Sequence, residues 1–166
     1  MQAETIQLEM LRQKIEDADY EAGSQSDYLD RGKPNAAQAK QARQLIDTRT
    51  SQSKTLKAEL KQLIAAVRTG QPQALEEWIN FHTGILQKII DEQDTGTNAK
   101  PRKLVAKNTL QEWEKVRAGE QDYVGINWYF LKDYRERVRK MDARSGKAAT
   151  ETTPERNGKA WWQFWK

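Results

Sequence analysis

The side chains that could carry acid-base chemistry or bind a metal are few in this sequence. His82 is the single histidine, and the chain has no cysteine, so disulfides and thiolate metal sites are excluded. On a helix, His82 would share an apolar face with Trp78, Ile85 and Leu86, and no carboxylate lies three or four residues from it. This position is typical of a core histidine with one hydrogen bond, rather than of a metal ligand or a general base.

Two clusters of acidic residues offer oxygen ligands for a hard cation. The first comprises Glu16, Asp17, Asp19 and Glu21, and the second comprises Asp91, Glu92 and Asp94. Neither cluster has the loop glycine and the terminal glutamate of a calcium-binding loop, so solvated helix ends are the favoured interpretation. The phosphate-binding pattern GxxxxGK[ST] and the nucleophile elbow GxSxG are also absent. The sequence therefore predicts a non-enzymatic protein with no metal site, no cofactor and no catalytic residue.

Basic residues interleaved with aromatic ones are typical of surfaces that contact phosphates and stack on bases. The residues that would contact a nucleic acid are Lys100, Arg102, Lys103, Arg135, Arg137, Arg139, Lys140 and Arg144. Acids such as Asp133 and Glu136 dilute the same surface. A structural helix whose arginines pair with neighbouring acids is therefore favoured, and nucleic-acid binding is the alternative.

The sequence closes with an aromatic peptide, AWWQFWK. On a helix three of its rings would share one face, which is how helical peptides dock into grooves. The predicted partner-binding residues are Trp161, Trp162, Phe164 and Trp165. Residues 145–159 contain no large apolar side chain, and we expect them to form a flexible linker. The alternatives are a peptide that folds back onto the chain's own helices and, less favoured for so short a peptide, peripheral contact with a membrane.

The elements that carry these residues are predicted to be helices. Leu8, Leu11, Ile15, Ala18 and Ala22 are separated by three, four, three and four residues, which is the a/d spacing of a coiled-coil seam. A second seam is predicted from Asn35 to Arg68, through Ala42, Leu45, Arg49, Gln52, Leu56, Leu60, Leu63 and Val67.

The segment between the two seams, RGKPN, predicts a turn. Gly32 would supply a positive φ, Pro34 cannot continue a helix, and Asn35 would cap the second helix. Net charge alternates along the chain, at −5 for residues 1–31, +6 for 32–70, −4 for 71–99 and +7 for 100–166. Opposite charges favour pairing of the first two helices, and an accidental bias of solvated faces is the alternative.

Three further helices are predicted. Gly70 and Pro72 close the hairpin, and an apolar face follows that includes Leu75, Trp78, Ile79, Ile85, Leu86, Ile89 and Ile90. After a loop at residues 94–103, a capping box at Thr109 would open a fourth helix that stops at Gly119. A fifth helix is predicted over residues 126–143.

These elements predict an all-α protein built around an elongated, coiled-coil-like antiparallel hairpin. The expected divisions are a hairpin arm for spacing or oligomerisation at 1–69, a three-helix module at 70–144, a flexible linker at 145–159 and an aromatic docking peptide at 160–166. Whether the first helix pairs within or between chains is left open, because a seam of this kind suits both.

The expected function is that of a structural or adaptor protein in a larger assembly. Its partners would be a protein bound by the aromatic peptide and further copies or subunits of a multi-protein complex. The alternative is a small nucleic-acid-binding accessory protein, for example in DNA packaging, that uses the basic fifth helix. The first ten residues lack a basic start followed by an apolar run, and no apolar stretch approaches the roughly 20 residues that span a bilayer. We therefore expect the protein in the cytoplasm or in a virion, neither secreted nor membrane-spanning.

Overall fold

The fold is helical throughout the described part of the chain. A computed structural model describes residues 2–93, 96, 98–130 and 133–134. It contains α1 (Ala3–Arg31), α2 (Ala36–Gly70), α3 (Pro72–Asp91), α4 (Ala99–Ala118) and a 3₁₀ turn (Trp128–Phe130), with no strand in these residues. The prediction of an all-α fold is confirmed there. Among these helices none is both long enough and apolar enough to cross a membrane. The predicted linker and aromatic peptide lie outside the described residues.

The first two helices lie side by side and run in opposite directions. Asp19 of α1 accepts a hydrogen bond from Ser53 Oγ at 2.5 Å and pairs with Lys57 Nζ at 2.8 Å. Two residues further along α1, Glu21 pairs with Arg49 Nε at 2.5 Å, so the partner's number falls as the number in α1 rises. These pairs join the acidic helix to the basic one, as the charges of the two segments favour.

The turn between α1 and α2 departs from the prediction at one residue. Asn35 caps α2 as expected, since its side chain accepts from Gln38 N at 2.9 Å while Gln38 Oε1 accepts from Asn35 N at 3.0 Å. The predicted positive φ at Gly32 is wrong: its φ is −83°, and Lys33 takes the left-handed conformation with φ 48°. Gly32 is required for space instead, because a Cβ there would lie 2.6 Å from Cδ2 of the Tyr28 ring.

The third helix follows α2 almost directly. Pro72 occupies its first turn, where the missing N–H of proline costs no hydrogen bond. The predicted apolar face is buried except for Ile90, which is half-buried. The buried residues of α3 are Ala74, Leu75, Trp78, Ile79, Phe81, His82, Ile85, Leu86 and Ile89.

The fourth helix begins at Ala99, and the predicted capping box at Thr109 is wrong. Thr109 lies inside the helix and its hydroxyl donates to the Val105 carbonyl at 2.9 Å. A threonine hydroxyl bonds the carbonyl four residues back as readily as it caps a helix, so the local pattern misplaced the start. Pro101 lies in the first turn of α4, where proline is tolerated. The predicted stop at Gly119 is confirmed, with a left-handed φ of 82°.

The predicted fifth helix falls largely outside the described residues. Residues 126 and 127 are not helical, and the chain then forms the 3₁₀ turn, so the predicted start of an α-helix at residue 126 is wrong. Asp133 and Tyr134 are helical, and residues 135–143 lie outside the described part.

A single cluster of buried apolar residues draws on all four helices and on the segment after α4. From α1 it includes Leu8 and Ile15, which belong to the predicted first seam. The predicted second seam is correct only in part. The buried residues of α2 are Ala42, Ser53, Leu60, Ile64 and Val67, whereas Leu45, Leu56 and Leu63 are half-buried. These three leucines therefore lie on the flank of α2.

Candidate functional site

A buried ionic cluster on α1 is the first candidate site. Glu9 and Arg12 are three residues apart, so they project from the same face of the helix. Their side chains are only 4% and 1% exposed. Arg12 donates from Nε to Glu9 Oε2 at 3.0 Å and from Nη2 to Oε1 at 2.7 Å. Two parallel hydrogen bonds of this kind are the strongest geometry between an arginine and a carboxylate.

The third helix supplies further donors to the same carboxylate. Trp78 Nε1 donates to Glu9 Oε2 at 3.0 Å, and His82 Nε2 lies 2.8 Å from the same oxygen. Trp78 and His82 are four residues apart on α3 and therefore point the same way. Because an ionised carboxylate only accepts, Nε2 of His82 carries the proton in this contact. Glu9 thus ties α1 to α3.

Aromatic rings from α4 and the segment beyond it close the cluster. The Trp113 ring stacks on the His82 ring with centroids 4.1 Å apart and an interplanar angle of 7°. Trp78 meets Trp113 edge-on at 4.9 Å. The Tyr134 ring lies 5.3 Å from the His82 ring, and the guanidinium carbon of Arg12 lies 5.8 Å from the Tyr134 ring centre. These contacts surround a buried charge pair with π-systems, which attract cations and exclude water.

The charges in the cluster stabilise one another. Burial by itself opposes ionisation of Glu9, but the charges and hydrogen bonds of His82 and Arg12 outweigh it and hold the pKa of Glu9 well below its ordinary value. Burial likewise opposes the charge on Arg12, and Glu9 reverses this and raises the pKa of Arg12. Burial raises the pKa of Tyr134 and keeps its phenol protonated. Glu9 and Arg12 are therefore an ion pair at neutral pH.

The chemistry open to this cluster is limited by access. A carboxylate in contact with an imidazole is a common acid-base pair, yet a general base must reach the proton that it removes. Here the side chains of His82 and Glu9 are 0% and 4% exposed. The buried cluster around Glu9 therefore holds α1 and α3 in position. The prediction that His82 is a hydrogen-bonded core residue is confirmed.

Glu16, from the first acidic cluster seen in the sequence, anchors another part of the chain to α1. Glu16 Oε1 accepts from Tyr123 Oη at 2.9 Å and from the Ile126 N–H at 2.6 Å. These bonds hold residues 120–127, which we call the strap, against α1. Burial raises the pKa of Tyr123, and the charge of Glu16 adds to this effect. No group of three histidine or acidic residues placed to hold a metal ion occurs in the described residues.

The three described residues of the predicted nucleic-acid set lie on α4. Lys100 is exposed. Arg102 donates to both carboxylate oxygens of Asp133, at 3.0 and 2.9 Å, and to Glu92 at 2.9 Å. The ammonium group of Lys103 donates to the backbone carbonyl of Glu92. Two of these three cations thus hold their own chain together. Arg135, Arg137, Arg139, Lys140 and Arg144, like the aromatic peptide, lie outside the described residues.

The second candidate site is the part of α1 and α2 nearest their connecting turn. In residues 19–52, which we call the arm, only Ala42 is buried. A depression of about 80 Å³ lies between the helices where the arm begins, lined by Lys14, Asp17, Ala18, Glu21, Arg49 and Gln52. Pockets for small molecules usually measure about 300 to 1,000 Å³. The depression is therefore too small to enclose a small-molecule substrate.

Glu9 and Arg12 were not identified from the sequence as functional residues. Charged side chains are seldom fully buried, so the composition gave no reason to place them inside. One signal was present, because Thr5, Glu9, Arg12 and Glu16 repeat at four, three and four residues. This is the spacing of the apolar seam beside them, and it indicates a polar stripe that faces another helix. Thr5 follows the same rule and donates to the Ala74 carbonyl at 3.0 Å.

Comparison of the chain with protein-family models, with curated proteins and with solved structures finds no match. Its function is therefore inferred from its own contacts, burial and charges.

Proposed function

We propose that this chain is a non-enzymatic structural or adaptor protein of a larger assembly. The observation that carries the proposal is the contrast between the arm and the rest of the described chain. The arm buries only Ala42, whereas the other end of α1 is clamped to α3 by the ionic cluster around Glu9. A firm base with a bare projecting element suits a protein that spaces or joins other molecules.

The arm has little to stabilise it within its own chain. Its share of α1 is about 20 Å long and its share of α2 about 25 Å, at about 1.5 Å per residue. Two helices alone bury only a stripe between them, and most helical stability comes from packing of an apolar face. A partner that covers the arm would supply this packing. In this proposal the arm is the distal part of a coiled-coil-like hairpin at 1–69. The rest of that hairpin, with the module predicted at 70–144, provides the base.

The aromatic peptide is the second contact in the proposal and rests on the sequence alone. Trp161, Trp162, Phe164 and Trp165 are of the types that most often anchor protein interfaces. Their partner would be a protein with an apolar groove, reached across residues 145–159. The cytoplasm or a virion is the proposed setting, where such assemblies form.

Sedimentation from the native source tests the proposal. The tagged full chain should migrate with an assembly much heavier than itself. In one variant a short glycine-rich turn replaces residues 24–48 and joins Gly23 to Arg49, which lie at the same height along the two helices. A second variant ends at Lys159. Both should keep their helical circular dichroism and shift to lighter fractions. A full chain that sediments as free protein would contradict the proposal.

The alternative function is a small nucleic-acid-binding accessory protein, for example in DNA packaging. It is favoured by the exposure of Lys100 and weakened by the engagement of Arg102 and Lys103 with their own chain. DNA binding should fall steeply with salt, and replacing Lys100 with glutamine should lower the salt slope by about one unit. The absence of DNA retention at about 50 mM salt would reject this function.

A further inference from the structure

We infer that the arm, together with the adjoining residues of α1 and α2, binds a second copy of this chain, with the two arms side by side and pointing in the same direction. The contact surface is the flank of α1 and α2 that carries the depression between them, which we call the open flank. This inference rests on the proposed function, because it names the partner of the arm.

On α1 the open flank is a stripe with alternating spacings of four and three residues. It consists of Met10, Lys14, Asp17, Glu21, Ser24 and Tyr28. Such a stripe stays on one side of a helix that packs along another helix. Its apolar members are exposed, with Met10 at 54% and Tyr28 at 38%. Arg12 is two residues from Met10 and therefore points about 200° away from it, towards Glu9 and the Tyr134 ring.

On α2 the open flank is a stripe with the same spacings. It consists of Leu45, Arg49, Gln52, Leu56, Glu59 and Leu63. The three leucines are half-buried members of the predicted second seam. Leu56 and Leu63 pack in part against the core, and Leu45 lies outside it. The two stripes share one side of the helix pair, because the depression between α1 and α2 is lined by Asp17 and Glu21 from one and by Arg49 and Gln52 from the other.

The stripe on α1 of one copy complements the stripe on α2 of a second copy when residues at the same height along the helix pair face each other. Because α1 and α2 are antiparallel, the numbers of two residues at the same height along the helix pair add up to a constant. The hydrogen bond between Asp19 and Ser53 gives a sum of about 72. Met10 is then level with Leu63, Lys14 with Glu59, and Tyr28 with Leu45. A twofold axis parallel to the arms brings α1 of one copy against α2 of the other at these same levels. Met10 then meets Leu63 and Tyr28 meets Leu45, whereas Leu56 is level with Asp17. Lys14 meets the opposite charge of Glu59 in the second copy.

The charges also select the direction of the second arm. If the arms pointed in opposite directions, Asp17 of one copy would face Glu21 of the other in the α1 stripes, while Arg49 would face Glu59 in the α2 stripes. The repulsion of the first pair would offset the attraction of the second, so that arrangement gains no net charge complementarity. In the parallel arrangement Glu21 lies near Arg49 of both copies, which extends the ion pair already formed within each chain.

The size of the open flank predicts a reversible dimer. From Met10 to Tyr28 the stripe is about 27 Å long, at about 1.5 Å per residue. Two adjacent helices are about 20 Å wide, so each copy would contribute on the order of 500 Å². Stable interfaces bury about 800 Å² per partner, so the dimer should dissociate on dilution.

Sedimentation velocity of the purified full chain tests the inference. Between about 1 and 300 µM the chain should pass from monomer to dimer, as expected for a small interface. Lys14→Glu places two acids face to face, twice in a twofold dimer, and should raise the dissociation constant about tenfold or more. Adding Glu59→Lys to the same chain restores opposite charges and should return the dissociation constant to that of the unmodified chain. Circular dichroism verifies that both variants are folded.

A matched pair of apolar exchanges localises the contact. Met10→Glu should weaken the dimer, whereas Leu104→Glu on α4, where the leucine is 61% exposed, should leave it unchanged. A chain that ends at Lys159 should still dimerise. The inference is overturned by a monomer at the highest concentration, by failure of the double charge exchange to restore the dimer, or by loss of the dimer with the aromatic peptide. A chain that is monomeric when pure but sediments with an assembly in its native source would overturn this inference and leave the proposed function intact.

Discussion

Replacement of Glu9 by glutamine is the most direct test of the buried ionic cluster. Glutamine has nearly the same shape and keeps one acceptor oxygen for Trp78 or His82, so the change mainly removes a charge. Arg12, which is 1% exposed, then loses both of its short hydrogen bonds to a carboxylate. Breaking a buried ion pair costs about 3 to 5 kcal/mol when the remaining charge has no partner. Arg12 would keep only the longer contact of its Nη1 with Glu16 Oε1, at 3.6 Å. Since whole domains are stable by about 5 to 15 kcal/mol, we expect Glu9→Gln to lose a large part of the free energy of unfolding.

Urea unfolding followed by far-ultraviolet circular dichroism measures this loss. Glu112→Gln on the exposed face of α4 is the matched control, and we expect it to change stability by no more than about 0.5 kcal/mol. Combining Glu9→Gln with Arg12→Met removes both charges and should recover most of the lost stability, because no buried charge is left unpaired. The reasoning is refuted if Glu9→Gln costs less than about 1 kcal/mol, or if Arg12→Met adds its own full cost to it.

The same variant tests the role of pH. The pKa of Glu9 is lower in the folded chain than in the unfolded one. Its contribution to stability is therefore complete above the ordinary glutamate pKa of about 4.3 and is lost as the pH falls below that value towards the pKa of the folded state. The unmodified chain should lose stability more steeply in this range than Glu9→Gln does. Parallel slopes for the two proteins would show that Glu9 is not held ionised by its neighbours.

Three further predictions concern the stability of the helix ends and of the strap. Gly119→Ala should lower the free energy of unfolding in urea by about 1 kcal/mol, because the φ of Gly119 is positive. Gly23→Ala inside α1 should raise it by about 0.5 to 1 kcal/mol, since a Cβ there meets nothing within 4 Å. Equal effects of the two substitutions would contradict the assigned backbone. Arg68→Met should lower the free energy of unfolding by about 1 to 3 kcal/mol, because the guanidinium donates to the last carbonyls of α4 at 2.9 and 2.7 Å. Lys61→Met removes an ion pair of 3.6 Å and should lower it by less than about 1 kcal/mol. Glu16→Gln should speed proteolysis within the strap and leave the protection of α2 unchanged, and an unchanged cleavage rate would show that Glu16 does not hold the strap.

The parts of the fold that could be predicted are those encoded in neighbouring residues. The spacing of Leu8 and Ile15, the cap at Asn35 and the stop at Gly119 each depend on a few adjacent positions, and the structure confirms all three. Reliance on neighbouring residues also led to the wrong start for α4. A threonine with a glutamate three residues later forms a capping box at a helix end, but inside a helix the threonine hydroxyl bonds a backbone carbonyl instead.

The ionic cluster could not be predicted from patterns of neighbouring residues, for a physical reason. Glu9 and His82 are separated by 73 positions in the chain, so their contact depends on how α3 lies on α1. A glutamate can be buried only when its donors are already in place, and none of them except Arg12 and Gln13 comes from its own helix. The stripe Thr5, Glu9, Arg12 and Glu16 indicates a polar face, but the identity of the opposing helix becomes visible only in the folded chain.

Two sets of ion pairs made by α1 act in opposite ways. The pair at Glu9 is enclosed, and removal of one partner is costly, so the base has a single arrangement. In the arm the pair of Arg49 with Glu21 has side chains 32% and 38% exposed, and that of Lys57 with Asp19, at its edge, has both at 41%. Pairs exposed to this degree contribute only about 0.2 to 1 kcal/mol each, and salt screens them further. They select the register of α1 on α2 without holding it firmly. A partner can therefore repack or extend these pairs at little cost, while the base resists any such change.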